Sequence, residues 1–246
     1  MLLTVDIGNT TVAIAGLRGE QVAFVKKLPS DLALNWTASL KELLEGVEAK
    51  GAVLSSVVPA LTGPVGEGLQ ALTGKPVLVV DKSTDTGLDP SGYDTANLGM
   101  DRVVDCVAAL ARYTPPVAVF DMGTATTLSV VDKGGLFRGG MILPGLALSL
   151  EALSARAAQL PPITLSQPEG LLGTDTVSCM KYGALYGAAG AIEGIVGRLE
   201  EELGPLTVVL TGGNSTLVRP LLRISTAWEP HLTYLGLGEI WRRRQP

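Results

Sequence analysis

Two segments of the 246-residue chain carry the residue types and spacing that can grip a phosphate. Leu2-Leu3-Thr4-Val5-Asp6-Ile7-Gly8-Asn9-Thr10-Thr11 returns about 115 residues later as Val117-Ala118-Val119-Phe120-Asp121-Met122-Gly123-Thr124-Ala125-Thr126-Thr127. In each, an apolar run ends in Asp-x-Gly, then Asn or Thr, then further hydroxyl residues and a second apolar run at 12–17 or 128–131. The glycine permits a tight turn that exposes backbone N–H groups, the hydroxyls add donors, and the Asp sets a carboxylate at the mouth. Such a turn can cradle a phosphate, and its carboxylate can hold a hydrated cation beside it. One Asp-x-Gly hairpin is ordinary turn chemistry. Two copies at equivalent places point to a duplicated domain with one phosphate turn on each side of a cleft.

Two further clusters carry chemistry. Thr207-Val208-Val209-Leu210 reads as a buried strand that ends in Thr211-Gly212-Gly213-Asn214-Ser215. A Gly-Gly pair there leaves bare backbone against which a planar ring can lie, so Gly212 and Gly213 are a candidate adenosine shelf. Gly99-Met100-Asp101-Arg102 opens an amphipathic helix after a polar loop. An Asp beside an Arg at a helix start can orient a hydroxyl and grip an anion together. The plainer alternative is a helix cap and a surface ion pair.

The elements that must position these groups alternate between strand and helix. Strands are expected at 2–6, 11–17 and 21–27, a helix near 36–46, a buried strand at 51–58, a helix over 60–72 and a strand at 77–80. Residues 81–98 are polar and rich in Gly, Asp and Thr, as a functional loop would be. The helix from Gly99 runs to about Arg112, and Pro115-Pro116 marks the boundary between a domain at 1–115 and one at 116–246. The second half repeats the opening with strands near 117–121, 126–131 and 135–141, then a helix over about 146–158. A Pro- and Gly-containing loop over 159–175 leads to a long helix at 176–203, whose small face includes Gly183, Gly187, Gly190 and Gly194. The fold class is α/β: two duplicated domains, each a mixed central sheet flanked by helices, with the active site in the cleft between them.

Composition excludes several classes. Hydrophobic content is 46%, charged content 17% and mean hydropathy +0.34, which supports a substantial core rather than disorder. No apolar run reaches membrane-spanning length, and the N-terminus passes directly into the first phosphate turn, so a cytoplasmic protein with no membrane partner is expected. With a net charge of −5 and a single basic cluster at Arg242-Arg243-Arg244, no nucleic-acid partner is expected. Cys106 and Cys179 lack any CxxC spacing and read as small reduced core residues rather than a disulfide or a zinc site, and His231 as a structural or surface residue.

The ordered set of motifs closely resembles the type III pantothenate kinases, within the actin-like ATPase and sugar kinase superfamily of ribonuclease H-like folds. The matching pieces are Asp6-Ile7-Gly8-Asn9-Thr10, Ser55-Ser56-Val57-Val58-Pro59, Tyr93 with Gly99-Met100-Asp101-Arg102, Asp121-Met122-Gly123-Thr124-Ala125-Thr126, Gly139-Gly140-Met141-Ile142-Leu143-Pro144-Gly145 and Thr211-Gly212-Gly213-Asn214. They span residues 2 to about 237. The resemblance implies ATP-dependent phosphorylation of pantothenate to 4′-phosphopantothenate, the entry to coenzyme A synthesis. It implies that Asp6, Ile7, Gly8, Asn9, Thr10, Thr11, Val12 and Ala13 bind the ATP phosphates, with Asp6 facing Mg²⁺ through water. Thr124 would close on the phosphates from the other half. Asp101 would take the proton of the pantothenate hydroxyl, and Tyr93, Gly99, Met100 and Arg102 would line the pantothenate site. Asp121 would hold a monovalent cation, K⁺ or NH₄⁺, and Thr176 would complete the pantothenate site from the partner of a homodimer. Two departures stand out. The family usually places Asn-Pro between the tyrosine and the Gly-x-Asp-Arg motif, whereas here the loop reads Tyr93-Asp94-Thr95-Ala96-Asn97-Leu98, and Cys179 and Lys181 stand where small or polar residues are commoner. A phosphatase of the superfamily would need a water-activating glutamate and a basic channel, neither of which is visible. A non-catalytic regulatory accessory factor of the family would be favoured by loss of Asp101 or Arg102, and both are present.

Overall fold

The computed structural model describes residues 1–31, 33–157 and 159–244. The chain falls into two compact units: Met1–Arg112 with His231–Pro246, and Tyr113–Pro230. In unit 1, β1 (Leu2–Ile7), β2 (Thr11–Arg18) and β3 (Gln21–Pro29) form an antiparallel meander. The strands β4 (Gly51–Ser56) and β5 (Leu78–Val79) extend it in parallel, giving the order β3-β2-β1-β4-β5. Unit 2 repeats the plan. There β6 (Val117–Met122), β7 (Ala125–Val131) and β8 (Phe137–Pro144) form the meander, and β9 (Thr207–Thr211) and β10 (Ala227–Trp228) add in parallel, in the order β10-β9-β6-β7-β8. The two sheets have one topology, which is the structural counterpart of the repeated sequence.

The strands that carry the Asp-x-Gly turns are apolar on both faces because both faces are covered. In unit 1, Leu3, Val5 and Ile7 pack with Trp36 and Leu40 of α1 (Trp36–Leu43) and Leu61, Val65 and Leu69 of α2 (Pro59–Thr73). Also in unit 1, α3 (Met100–Leu110) carries a buried stripe that includes Val103, Val104 and Val107. In unit 2, α4 (Leu146–Arg156) and α5 (Thr176–Leu203) serve the same purpose, with Leu146, Leu185, Ala189, Ile192 and Val196 against Phe120, Met122 and Leu128. The short helix α6 (Ser215–Val218) follows β9.

The last helix, α7 (Leu232–Arg243), departs from the expected division at 115/116, because it belongs to unit 1. Its Leu235 joins Ala15 and Leu17 on the sheet, and a Cβ on Gly236 would lie 2.1 Å from the Val104 carbonyl oxygen of α3. Glycine is therefore what lets the two helix backbones approach. Smaller differences have local causes. β4 stops at Ser56 rather than 58, since the Ser56 hydroxyl pairs with the Val58 backbone and Pro59 opens α2. β8 begins at Phe137 rather than 135 because Asp132 accepts the N–H groups of Gly134 and Leu136 and closes a turn first. α1 ends at Leu43 rather than 46, and the expected end of α4 at residue 158 lies outside the described residues.

Candidate active site

In unit 1, Asp6 lies near the end of β1, where Ala13 of β2 and Ser55 of β4 are its Cα partners. Ser55 is fully buried and donates its hydroxyl to Asp6 Oδ1 at 3.1 Å. The turn that follows is held by its carbonyls: Gly8 N–H donates to Thr11 O at 3.0 Å, Ser30 Oγ donates to Gly8 O at 2.6 Å, and Ser30 N–H donates to Thr10 O at 3.1 Å. Asn9 and Thr10 are exposed at the tip, while Ile7, Val12 and Ala13 bury their side chains in the core and can offer a ligand only backbone.

Asp101 stands in the first turn of α3, and its Oδ1 accepts the Arg102 N–H at 2.9 Å. The carboxylate folds over Gly99 so closely that a Cβ there would be 2.3 Å from Oδ1, which explains the glycine. Burial raises the Asp101 pKa, against the opposing pull of the Arg102 N–H and its guanidinium. Burial and the negative charge of Asp101 together lift Asp6 to about 6, with the Ser55 hydroxyl opposing them. Two carboxylates thus share one electrostatic neighbourhood, and a divalent cation would relieve their repulsion. Among the described residues no group of three or more His, Cys, Asp or Glu could hold a metal. The pair of carboxylates, Asp6 and Asp101, fits Mg²⁺, which binds through one or two carboxylates with water and substrate phosphates.

Arg102 is buried, with its guanidinium 5.7 Å from the centre of the half-exposed Tyr93 ring. The loop between them lacks Asn-Pro and uses another device. Asp94 caps a 3₁₀ turn at Thr95–Asn97 by accepting the Ala96 N–H at 2.9 Å, and Lys82 Nζ donates to the Ala96 carbonyl. A cavity of about 260 Å³ lies beside this loop, lined by Thr84, Thr86, Leu88, Thr95, Leu98 and Met100 among others.

In unit 2, Asp121 has Thr127 and Thr211 as Cα partners. Gly212 has φ +82°, and a Cβ on it would lie 2.3 Å from Asp121 Oδ1 and 2.5 Å from Met122 N, so only glycine fits. Gly213 has nothing within 4 Å of such a Cβ and presents open backbone. Asn214 ties the two turns together, donating Nδ2 to Gly123 O and its N–H to Met122 O, both at 3.0 Å. Gly145 N–H donates to Thr124 O at 3.2 Å, and a Cβ there would be 2.2 Å from the same oxygen. Thr176 is exposed as the first residue of α5, where Asp175 and Ser178 form a reciprocal cap.

Unit 1 therefore gathers Asp6, the turn at residues 8–10, Asp101, Arg102 and Tyr93, and unit 2 gathers Asp121, Thr124, Gly145 and Gly212. The sequence did not point to Ser30, and it placed Ser55, Gly145 and Asn214 within motifs without giving them a role. Each acts through a partner distant in sequence, 22 residues away for Ser30 and 49 for Ser55.

Two sheets of one topology, each opening on an Asp-x-Gly hairpin, define a duplicated α/β fold of the actin-like class. Similarity of sequence narrows the class. Residues 2–198 match the family model of the type III pantothenate kinases. The type III pantothenate kinase of Moorella thermoacetica is 35% identical, with 99% of each chain covered. That of Rhodospirillum centenum is 38% identical, covering 99% of this chain and 98% of its own. Among solved structures, the ethanolamine utilization protein EutJ from Carboxydothermus hydrogenoformans shares the fold at a TM-score of 0.58 and 14% identity, covering 97% of this chain and 89% of its own. The chain belongs to the type III pantothenate kinase family.

Proposed function

We propose that the chain uses ATP to phosphorylate pantothenate to 4′-phosphopantothenate, the first step of coenzyme A synthesis, with Asp101 as the base. The observation that carries the assignment of roles is the partly buried Asp101 carboxylate at the start of α3, beside Arg102 and within electrostatic reach of Asp6. Phosphoryl transfer asks little covalent chemistry of the protein: it needs charge neutralised around the γ-phosphate and a carboxylate to orient the attacking hydroxyl. Asp101 accepts the hydroxyl proton as the oxygen bonds to the γ-phosphorus, and the bond from that phosphorus to the bridging oxygen breaks to leave ADP. Its raised pKa makes it a better proton acceptor than an exposed carboxylate.

Arg102, fixed by burial and by Tyr93, offers the positive charge that the pantothenate carboxylate needs. Mg²⁺, when bound, supplies charge neutralisation at the phosphates, and Asp6 is the residue that would hold it through water. The turn at Gly8, Asn9 and Thr10 binds the phosphates, as does Thr124, and Gly212 and Gly213 receive the adenosine. Asp121 holds K⁺ or NH₄⁺. The protein acts as a cytoplasmic homodimer in which Thr176 of one chain completes the pantothenate site of the other. The large apolar side chains exposed on the described chain support a partner surface, since seven of the ten lie between Met141 and Val177. No helix among the described residues is long and apolar enough to cross a membrane.

The test is ADP release coupled to a reporter reaction, with ATP, Mg²⁺ and pantothenate, run in Na⁺, K⁺ and NH₄⁺ salts. Pantothenate-dependent turnover that rises with K⁺ or NH₄⁺ is expected. No pantothenate-dependent ADP in any salt would overturn the assignment.

A further inference from the structure

We propose that Ser30 is a positioning residue for the ATP phosphates, acting through the backbone of the first phosphate turn. Ser30 follows the last residue of β3, Pro29, and grips the turn twice: its hydroxyl donates to Gly8 O at 2.6 Å and its N–H donates to Thr10 O at 3.1 Å. In a trans peptide the N–H points opposite to the C=O of the same planar unit. Drawing the Gly8 carbonyl towards Ser30 therefore turns the Asn9 N–H away from it, at the exposed tip of the turn. The same bond keeps a carbonyl dipole from facing the phosphates, where it would oppose their charge. Preorganised donors cost no rearrangement when the charge arrives. Proline just before Ser30 limits the backbone at the end of the strand and favours a fixed direction of approach.

The inference rests on the reading of this turn as a phosphate site, so the experiment separates the two. The Kd of ATP with Mg²⁺ is measured by calorimetry for the wild-type chain and for Ser30→Ala, Ser30→Thr and Asp6→Ala, beside the KM values for ATP and pantothenate. Loss of one hydrogen bond predicts that Ser30→Ala weakens ATP binding about 3- to 10-fold and raises the ATP KM equally. The pantothenate KM stays unchanged, and Ser30→Thr, which keeps the hydroxyl, restores most of the loss. Wild-type ATP affinity in Ser30→Ala, or a KM rise shared by both substrates, would overturn the role of Ser30. If Asp6→Ala also binds ATP as wild type, the phosphate-site reading itself fails.

Discussion

Gly212 and Gly213 are neighbours on one turn, yet alanine at each is expected to do opposite things. At Gly212 the backbone has φ +82°, and the added Cβ would lie 2.3 Å from Asp121 Oδ1 and 2.5 Å from Met122 N. The left-handed conformation costs alanine about 1–2 kcal/mol, and forcing a methyl into filled space adds about 1–3 kcal/mol. For a chain of this size each kcal/mol lowers Tm by about 2–4 °C, so Gly212→Ala should lose on the order of 10 °C. At Gly213 a Cβ meets nothing within 4 Å. Gly213→Ala should leave stability within about 0.5 kcal/mol of wild type, a Tm change of at most about 2 °C. If the nucleotide lies against that bare backbone, the same methyl should weaken ATP binding by on the order of tenfold. Scanning calorimetry gives the first quantity and titration calorimetry the second. A Gly212→Ala protein with wild-type Tm would refute the packing argument. An unchanged ATP Kd in Gly213→Ala would remove the adenosine shelf.

Asp6 makes stability depend on pH. Its folded pKa of about 6 exceeds the ordinary 3.8, so stability present below 3.8 is lost as pH rises through 6, by up to about 3 kcal/mol. In Mg²⁺-free buffer Asp6→Asn should therefore melt above wild type at pH 8 and level with it near pH 4, and a gap independent of pH would contradict the burial of a charged Asp6. Asp121→Asn should weaken activation by K⁺ and raise the apparent ATP KM; unchanged K⁺ dependence would move the cation elsewhere. Light scattering should give twice the chain mass of 25.5 kDa, and Thr176→Ala should raise the pantothenate KM more than the ATP KM. An active monomer would exclude a site completed by a partner.

The duplicated plan was legible because each copy of the turn is local: Asp6 and Gly8, or Asp121 and Gly123, sit in a single hairpin whose apolar flanks set the strand register. The turn at 212–213 and the start of α3 were legible for the same reason. What was hidden depends on pairing across the sheet. Ser55 meets Asp6 only because β4 runs parallel to β1 in that register, and Ser30 reaches Gly8 only because β3 returns beside β2. The placement of α7 was hidden for a related reason. Its apolar stripe fits any apolar face, whereas the approach of Gly236 to Val104 and the hydrogen bond that Thr233 Oγ1 donates to Asp105 Oδ1 at 2.7 Å select α3. Gly145 reads in sequence as a helix start, and its contact with Thr124 appears once β8 returns beside β7.

Substitution of Asp101 by Asn separates the base from the helix start most directly. Asn keeps the size of Asp and an oxygen to accept the Arg102 N–H, and it removes a charge that burial disfavours, so Tm should not fall and ATP binding should persist. It accepts no proton, so kcat for transfer of the γ-phosphoryl group of radiolabelled ATP to pantothenate should fall by about 10²- to 10⁴-fold. An Asp101→Asn enzyme that forms labelled 4′-phosphopantothenate at close to the wild-type rate would contradict the assignment of Asp101 as the base.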